Sequence, residues 1–572
     1  MLPTQSQFNI DVLDVLPLSY AERVTAAALQ GLVNRSGPRL FLDYGIYDDP
    51  LARRTNEVFM ADEIWYGKYR RLLGAQDQHN LEYYCREHGA AAVPLPDLDA
   101  AVAKYHDTLK GCVLWDASLP DTVNVALMLA AQENLLPLET ASAAKAADWH
   151  LPVVHDLRGR WTDRVALYTW AFENLFAGCE RGRVACIEPD WQRPEFLDYL
   201  VQHKIFIYSL SSQQKGWGGT LLLLLAFGPA ILREFLFALH LDAPLRRWAL
   251  AWLARRSPEI KLNNRIQRSV AADSVPTIFG WHTRRDDEMT FMLLLSANGL
   301  RLVPTHLAAN FSFHSQVTPL TAAPVAPPLP EVPELDPQGV YLTFTLSDGD
   351  QLMMMSTAEL GSWYCPQRGS VAFNWECQPL LTEIAPALLE KFQRSATPND
   401  CLIAGPSGAG YTVPPLTPDF PAYMRETVRI CQKAGITVAT TYVADPPRRV
   451  LHQLDAASRG KMNFLAGYAI LGRAPQQKVG QTIIIANQVP TLEQIWASAD
   501  DLLAAVKKLA EGAAQKPAFI GVHLFAYRTA YEDVAAFAKQ LTDPHLHIVR
   551  ADTFLALARR SFSSSIDRRV SS

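Results

Sequence analysis

Asp348 and Asp350 stand two residues apart in Ser347-Asp348-Gly349-Asp350, where the apolar run Val340-Tyr341-Leu342-Thr343-Phe344-Thr345-Leu346 stops. If the extended geometry of that run persists, both carboxylates face the same way. Like charges that close raise one pKa, and a proton-donating carboxylic acid needs such a rise. Hydrolysis of a glycosidic bond uses two carboxyl groups, ~5–5.5 Å apart for retention or ~6.5–9.5 Å for inversion. The same four residues also suit an Asp-Gly turn bonded to backbone amides, or a cation-binding pair. Glu288, which follows Trp281, and Glu376, which follows Trp375, are rival second carboxylates at the ends of two other strand-like runs. A helix N-terminus would equally favour Glu288.

Other residues suit binding. Trp281 and Trp375 are candidate sugar platforms, with core packing as the alternative for each. Gly405-Pro406-Ser407-Gly408-Ala409-Gly410-Tyr411 puts three glycines directly after the apolar run Cys401-Leu402-Ile403-Ala404. Glycine allows close backbone approach and positive φ. The loop lacks the Lys-Ser/Thr ending of a phosphate-binding loop. It reads as ligand-facing, with Ser407 hydrogen-bonding and Tyr411 stacking or hydrogen-bonding; a turn with Tyr411 packed beneath it is the alternative. His523 closes Phe519-Ile520-Gly521-Val522, where a lone histidine is often a satisfied core residue but a strand end admits a site role. The expected catalytic set is thus Asp348, Asp350 and Glu288. The expected binding set is Trp281, Trp375, Glu376, Ser407, Tyr411 and His523, with no metal ligands and no cofactor. No GxSxG elbow, HExxH or HxxxH occurs, which counts against a serine triad and a metal-dependent carbohydrate deacetylase.

These residues need strands to carry them. From residue 274 onward, strand candidates fall at 276–280, 300–303, 340–346, 370–375, 400–404, 436–441, 482–486 and 518–524. Helical patterns such as 380–392, 423–434 and 492–509 separate most of them. Eight strands with helical connections predict a (β/α) barrel, with an open doubly wound sheet as the alternative. Upstream, Ser19-Tyr20-Ala21-Glu22 reads as a capping box opening a helix. Strand patterns at 39–42, 111–115, 183–187 and 204–208, with a helix over 121–133, predict an N-terminal α/β domain with a mainly parallel sheet. The expected division is 1–265 for that domain, 266–560 for the barrel-like domain and 561–572 for a disordered Ser/Arg-rich tail. The proline-dense stretch 318–338 reads as a loop within the barrel rather than a linker. Residues 221–232, the most apolar segment, fall short of the ~20 residues of a membrane span and predict a buried helix.

At 572 residues the chain exceeds what one core organises. A net charge of -5 gives no basic excess to attract nucleic acid or an anionic membrane, so the expected partner is a carbohydrate substrate alone. Oligomeric state is open. The eight cysteines show neither CxxC nor zinc spacing and imply no disulfide framework. The first seven residues lack the basic and apolar regions of an export signal, which predicts a cytoplasmic protein unless the chain is processed or truncated.

Gly408-Ala409-Gly410-Tyr411-Thr412-Val413-Pro414 resembles the naming motif of the GxGYxYP family of glycoside hydrolases, with Val413 where the family has Tyr. Thr397-Pro398-Asn399-Asp400, Gly405-Pro406-Ser407 and Ser347-Asp348-Gly349-Asp350 fit the same resemblance. So do Leu29-Gln30-Gly31-Leu32-Val33-Asn34-Arg35, Gly280-Trp281 with Asp287-Glu288, and Asn310-Phe311-Ser312-Phe313-His314-Ser315. The resemblance implies an N-terminal α/β domain and a barrel-like C-terminal domain, and it does not imply a particular substrate. Gln351 stands where the pattern has Asn, and Asn374-Trp375-Glu376-Cys377-Gln378-Pro379 keeps Trp and Pro but changes the residues between. The second departure bears on substrate preference.

Overall fold

The computed structural model describes residues 8–45, 75–189, 196–213, 216–270, 274–321, 331–347, 352–356, 363–441, 448–466, 477–489, 497–526 and 529–570. Among the described residues, the N-terminal half holds three small parallel sheets instead of one. In the first, β1 (Asn9–Asp14) lies between β2 (Leu40–Asp43) and β3 (Ala91–Leu95). In the second, β4 (Gly111–Trp115) lies between β5 (Leu135–Glu139) and β6 (Val153–Asp156). The third joins β7 (Arg183–Cys186), β8 (Phe206–Tyr208), β9 (Thr277–Gly280) and β10 (Arg301–Pro304) in the order β10-β9-β7-β8. β4 and β9 are buried along their whole length, as strands covered on both faces should be.

The helix Tyr20–Val33 separates the first two sheets and packs on both. Its capping box forms as expected: Glu22 N–H donates to Ser19 Oγ (3.3 Å), and Ser19 N–H donates to Glu22 Oε2 (2.9 Å). Thr25 Oγ1 donates to Pro137 O of β5 (2.6 Å), and Gln30 Nε2 donates to Leu40 O of β2 (3.1 Å). Gln30 Nε2 also reaches Asn310 Oδ1 (2.6 Å), and Asn34 Nδ2 reaches Ser312 Oγ (3.1 Å). The two stretches near residues 30 and 310 therefore form one buried polar junction.

Between β8 and β9 stand four helices: Trp217–Phe227, Ala230–Ala238, Asp242–Ala254 and Pro258–Ser269. The single buried helix expected over 221–232 is instead two helices meeting at 96°. Pro229, with no N–H and a fixed φ, ends the first and begins the second. Leu223, Leu224 and Ile231 are exposed, contrary to that expectation.

The C-terminal part is a closed parallel barrel. Its strands are β11 (Val340–Leu346), β12 (Phe373–Cys377), β13 (Asp400–Ala404), β14 (Val438–Thr441), β15 (Asn463–Ala466), β17 (Thr482–Val489) and β18 (Ala518–Leu524). Pairing of β11 with both β18 and β12 closes the ring. β16 (Gln477–Val479) runs antiparallel to β17, and β19 (Leu546–Ile548) lies beside the first half of β11. Asn374 spans the junction: its Nδ2 donates to Thr343 Oγ1 and Phe344 O (both 2.8 Å), and its Oδ1 accepts Ala551 N–H (2.7 Å).

Alternate residues point into the lumen. Its lower part is apolar: Tyr341, Cys401, Ile403, Val438, Leu465, Ile483, Ile485 and Phe519 pack with Phe554, Leu555 and Ala558 of the helix Ala551–Val570. That helix covers the end where the strands begin. Arg559 Nη2 donates to Asn463 Oδ1 (3.0 Å), and Arg550 Nη1 donates to Pro398 O (2.9 Å).

Several expectations need correction. The candidates at 276–280 and 300–303 are β9 and β10 of the third sheet, not barrel strands, because they pair with β7 and each other. Among the described residues the barrel accordingly has seven strands instead of eight, and it includes Asn463–Ala466, too short a run to stand out. The third sheet draws strands from both sides of the expected 265/266 boundary. The proline-dense stretch links that sheet to the barrel rather than two barrel strands; residues 322–330 lie outside the described ones. The tail expected to be disordered from residue 561 continues the helix Ala551–Val570.

Candidate active site

Beyond the apolar layers, at the end where the strands finish, the lumen turns polar. Glu376 of β12 is buried, and its Oε1 accepts a hydrogen bond from Thr440 Oγ1 of β14 (2.8 Å). His523 of β18 brings Nε2 to 3.6 Å from the same oxygen. β12 and β18 flank β11, so the two side chains approach from either side of that strand, and alternation turns Glu376 inward together with Asn374. Thr345 of β11 pairs in register with His523 on one side and Asn374 on the other. One step beyond Leu346 and Trp375, the last pair in register, come Ser347 and Glu376. Ser347 is buried, and its N–H donates to Leu524 O (2.8 Å).

The expected catalytic pair Asp348 and Asp350 lies outside the described residues, as does Gln351. The described chain resumes at Leu352, whose N–H donates to Pro304 O at the end of β10 (3.1 Å). The described residues on either side thus lie at the barrel mouth (Ser347) and at the finishing end of the third sheet (Leu352). Trp281 stands at that same end, directly after β9 and half-buried. Its ring lies 5.6 Å from that of His282 and 5.3 Å from that of His306. Burial holds the His282 pKa below its ordinary value and favours the neutral ring.

The glycine loop is clasped to the third sheet. Tyr411 forms an antiparallel bridge with Leu302 of β10: its N–H donates to Leu302 O (2.7 Å), and Leu302 N–H donates to Tyr411 O (2.8 Å). Tyr411 Oη donates to Glu288 Oε1 (2.6 Å). Glu288 opens the helix Glu288–Ala297, whose cap Asp287 accepts Thr290 N–H (2.7 Å). Ser407 Oγ is buried and donates to Thr412 O (2.8 Å). Arg301 lies beneath the loop, its Nη1 donating to Ala409 O (3.2 Å) and its Nε to Thr277 Oγ1 (2.9 Å). Gly410 has φ +97°, and a Cβ there would come within 2.8 Å of Arg301 Cδ. Gly408 has φ +123°, and a Cβ there would come within 2.4 Å of Thr427 Cγ2.

Trp375 faces away from the lumen. Its Nε1 donates to Asp400 Oδ1 (2.9 Å), and its ring lies 6.0 Å from Tyr531 at an interplanar angle of 4°. The geometry thus unites Glu376 with His523 and Glu288 with Tyr411, sets Trp281 at the facing sheet end, and buries Trp375 in packing. Sequence reasoning missed Thr440, which alternation along Val438–Thr441 places in the lumen. It also missed His282 and His306, which border Trp281.

Known proteins align with this architecture. The model of the GxGYxYP putative glycoside hydrolase C-terminal domain matches residues 338–559, which include every barrel strand. The second domain of the family's N-terminal region matches 109–179, and the third domain matches 183–316, the span of the third sheet. A solved structure, a putative hydrolase from Bacteroides thetaiotaomicron VPI-5482, shares the fold at a TM-score of 0.70 and 16% identity. The superposition covers 97% of this chain and 96% of that one. No curated protein matches. With three consecutive models of one family covering most of its length, the chain belongs to the GxGYxYP family, whose C-terminal domain is described as a putative glycoside hydrolase.

Proposed function

We propose that this protein hydrolyses a glycosidic bond at the mouth of the barrel, using carboxyl groups drawn from Asp348, Asp350 and Glu376. The observation that carries the reading is Glu376. It is a buried carboxylate in the lumen, held by Thr440, close to His523, and beside the strand end that leads into Asp348. One carboxyl group would protonate the leaving oxygen, and another would attack the anomeric carbon or activate water. Glu288 is a weaker second group because its carboxylate already accepts the Tyr411 hydroxyl that fastens the glycine loop. Trp281, half-buried at the facing sheet end, is the candidate sugar platform.

The test is hydrolysis of a panel of aryl glycosides by the wild type, Asp348→Asn and Glu376→Gln, with thermal melting alongside. Each change keeps side-chain size and removes a titratable proton. Turnover should fall ~10²–10⁴-fold in both variants, the usual cost of a lost acid or base. Normal turnover in a folded Asp348→Asn protein would mean that the Asp-Gly segment only forms a turn, which Asn also makes well. Normal turnover in a folded Glu376→Gln protein would remove Glu376 from the mechanism. A chelator should leave the wild-type rate unchanged; loss of rate would favour a metal-dependent carbohydrate deacetylase.

A further inference from the structure

The four helices between β8 and β9 carry more outward apolar surface than packing explains. Exposed there are Trp217 (73%), Ile231 (86%), Phe235 (58%) and Trp248 (52%), with Leu223, Leu224, Leu232, Leu239 and Leu241 also exposed. Along Ala230–Ala238 the exposed apolar positions recur at 231, 232 and 235, one stripe of a helix whose other side buries Arg233 and Phe237. Patches of this size mark a surface that something covers.

Charge indicates what covers it. Residues 216–269 hold eight Arg or Lys against three acids, in a chain of net charge -5. The exposed charges are all positive: Arg247, Arg255, Arg256, Lys261, Arg265 and Arg268. Arg265 has a partner in Glu173 (3.6 Å), and the Arg256 guanidinium lies 4.1 Å above the Trp252 ring. The three acids are half-buried and engaged. Glu234 accepts Arg448 N–H (2.6 Å), Asp242 lies 3.6 Å from Arg449, and Glu259 lies 3.0 Å from Arg285. A second copy seated on this face would set one basic block against another. A bilayer rich in anionic lipid meets both features, because its phosphates take the cations and its acyl boundary takes the apolar stripe.

We propose that this block seats the protein on the surface of an anionic lipid bilayer. The helices lie on the membrane and do not cross it. Trp217–Phe227 and Ala230–Ala238 together are apolar and long enough for a span, but their 96° bend prevents them from crossing as one rod. The whole-chain charge conceals this basic block, so the membrane-free expectation drawn from composition did not take it into account.

The experiment is co-sedimentation of the full-length protein with phosphatidylglycerol and with phosphatidylcholine vesicles. The wild type should bind the former far more tightly. Ile231→Glu/Phe235→Glu, both on the exposed stripe, should abolish binding to either vesicle while thermal melting stays unchanged. Arg247→Gln/Arg255→Gln/Arg256→Gln should weaken phosphatidylglycerol binding ~100-fold, about fivefold for each cation lost near the surface. The proposal is overturned if the wild type binds neither vesicle, or if binding is indifferent to both variants. It is equally overturned if sedimentation velocity finds a dimer without lipid that Ile231→Glu/Phe235→Glu dissociates.

Discussion

Glu376 and Trp375 are neighbours in sequence with opposite surroundings. The first enters the lumen beside Thr440 and His523, and the second packs outward between Asp400 and Tyr531. A strand turns successive side chains to opposite faces, so a motif that names adjacent residues cannot assign both to one site. The sequence showed that a strand ended near a tryptophan and a carboxylate, but not which of them faced inward; that depends on how the barrel closes. If Trp375 is packing, Trp375→Phe should destabilise the protein by ~1–3 kcal/mol, from the lost hydrogen bond and reduced ring contact. Its KM for any hydrolysed glycoside should stay at the wild-type value. A raised KM with unchanged urea stability would restore Trp375 as a sugar platform.

At the scale of elements, runs such as Val340–Leu346 and Ala518–Leu524 were legible because both faces of each strand are buried and the run is unbroken. β15 offers only Asn463-Phe464-Leu465-Ala466 and escaped notice. β9 and β10 were recognised as strands but given to the wrong sheet, because periodicity reports extension and not partners. The glycine loop was read as ligand-facing, yet its visible contacts fasten it to β10. Gly408 and Gly410 hold φ values that glycine favours, and a methyl at Gly408 would also meet Thr427. Gly408→Ala should cost ~1–3 kcal/mol of stability, measured by urea unfolding, since strain at positive φ adds to the clash. Unchanged stability would mean that the loop shifts freely and that Tyr411 is not clamped by it.

At the scale of the molecule, two buried groups give opposite pH dependences. His314 is fully buried against Tyr84 Oη (2.8 Å); burial, with Lys391 nearby, holds its pKa down to about 3. The unfolded chain takes up that proton first, so stability is lost as pH falls from about 6.5 toward about 3. Asp198, whose carboxylate accepts Ser312 N–H (2.6 Å), is raised by burial to about 6. Its folded form holds the proton longer, so stability declines as pH rises from about 3.8 through about 6. Between pH 4 and 6 the two slopes oppose each other. Asp198→Asn should remove one of them, so urea stability of the variant should climb more steeply with pH across that window than the wild type's. Parallel curves would exclude Asp198 as a source of the dependence. Neither group was legible in the sequence, because their burial arises where residues near 30, 198 and 310 meet, and that meeting is set by tertiary packing.

The helix Ala551–Val570 fills the lower lumen with Phe554, Leu555 and Ala558, and its residues follow every barrel strand in the chain. Synthesis proceeds from the N-terminus, so on the ribosome the seven strands emerge before the side chains that complete their core. Until Phe554 arrives, a barrel closed early would enclose an unfilled apolar lumen, and an open one would offer bare strand edges. A nascent chain stalled before residue 551 should therefore be far more readily captured by chaperones than one stalled after the helix has emerged.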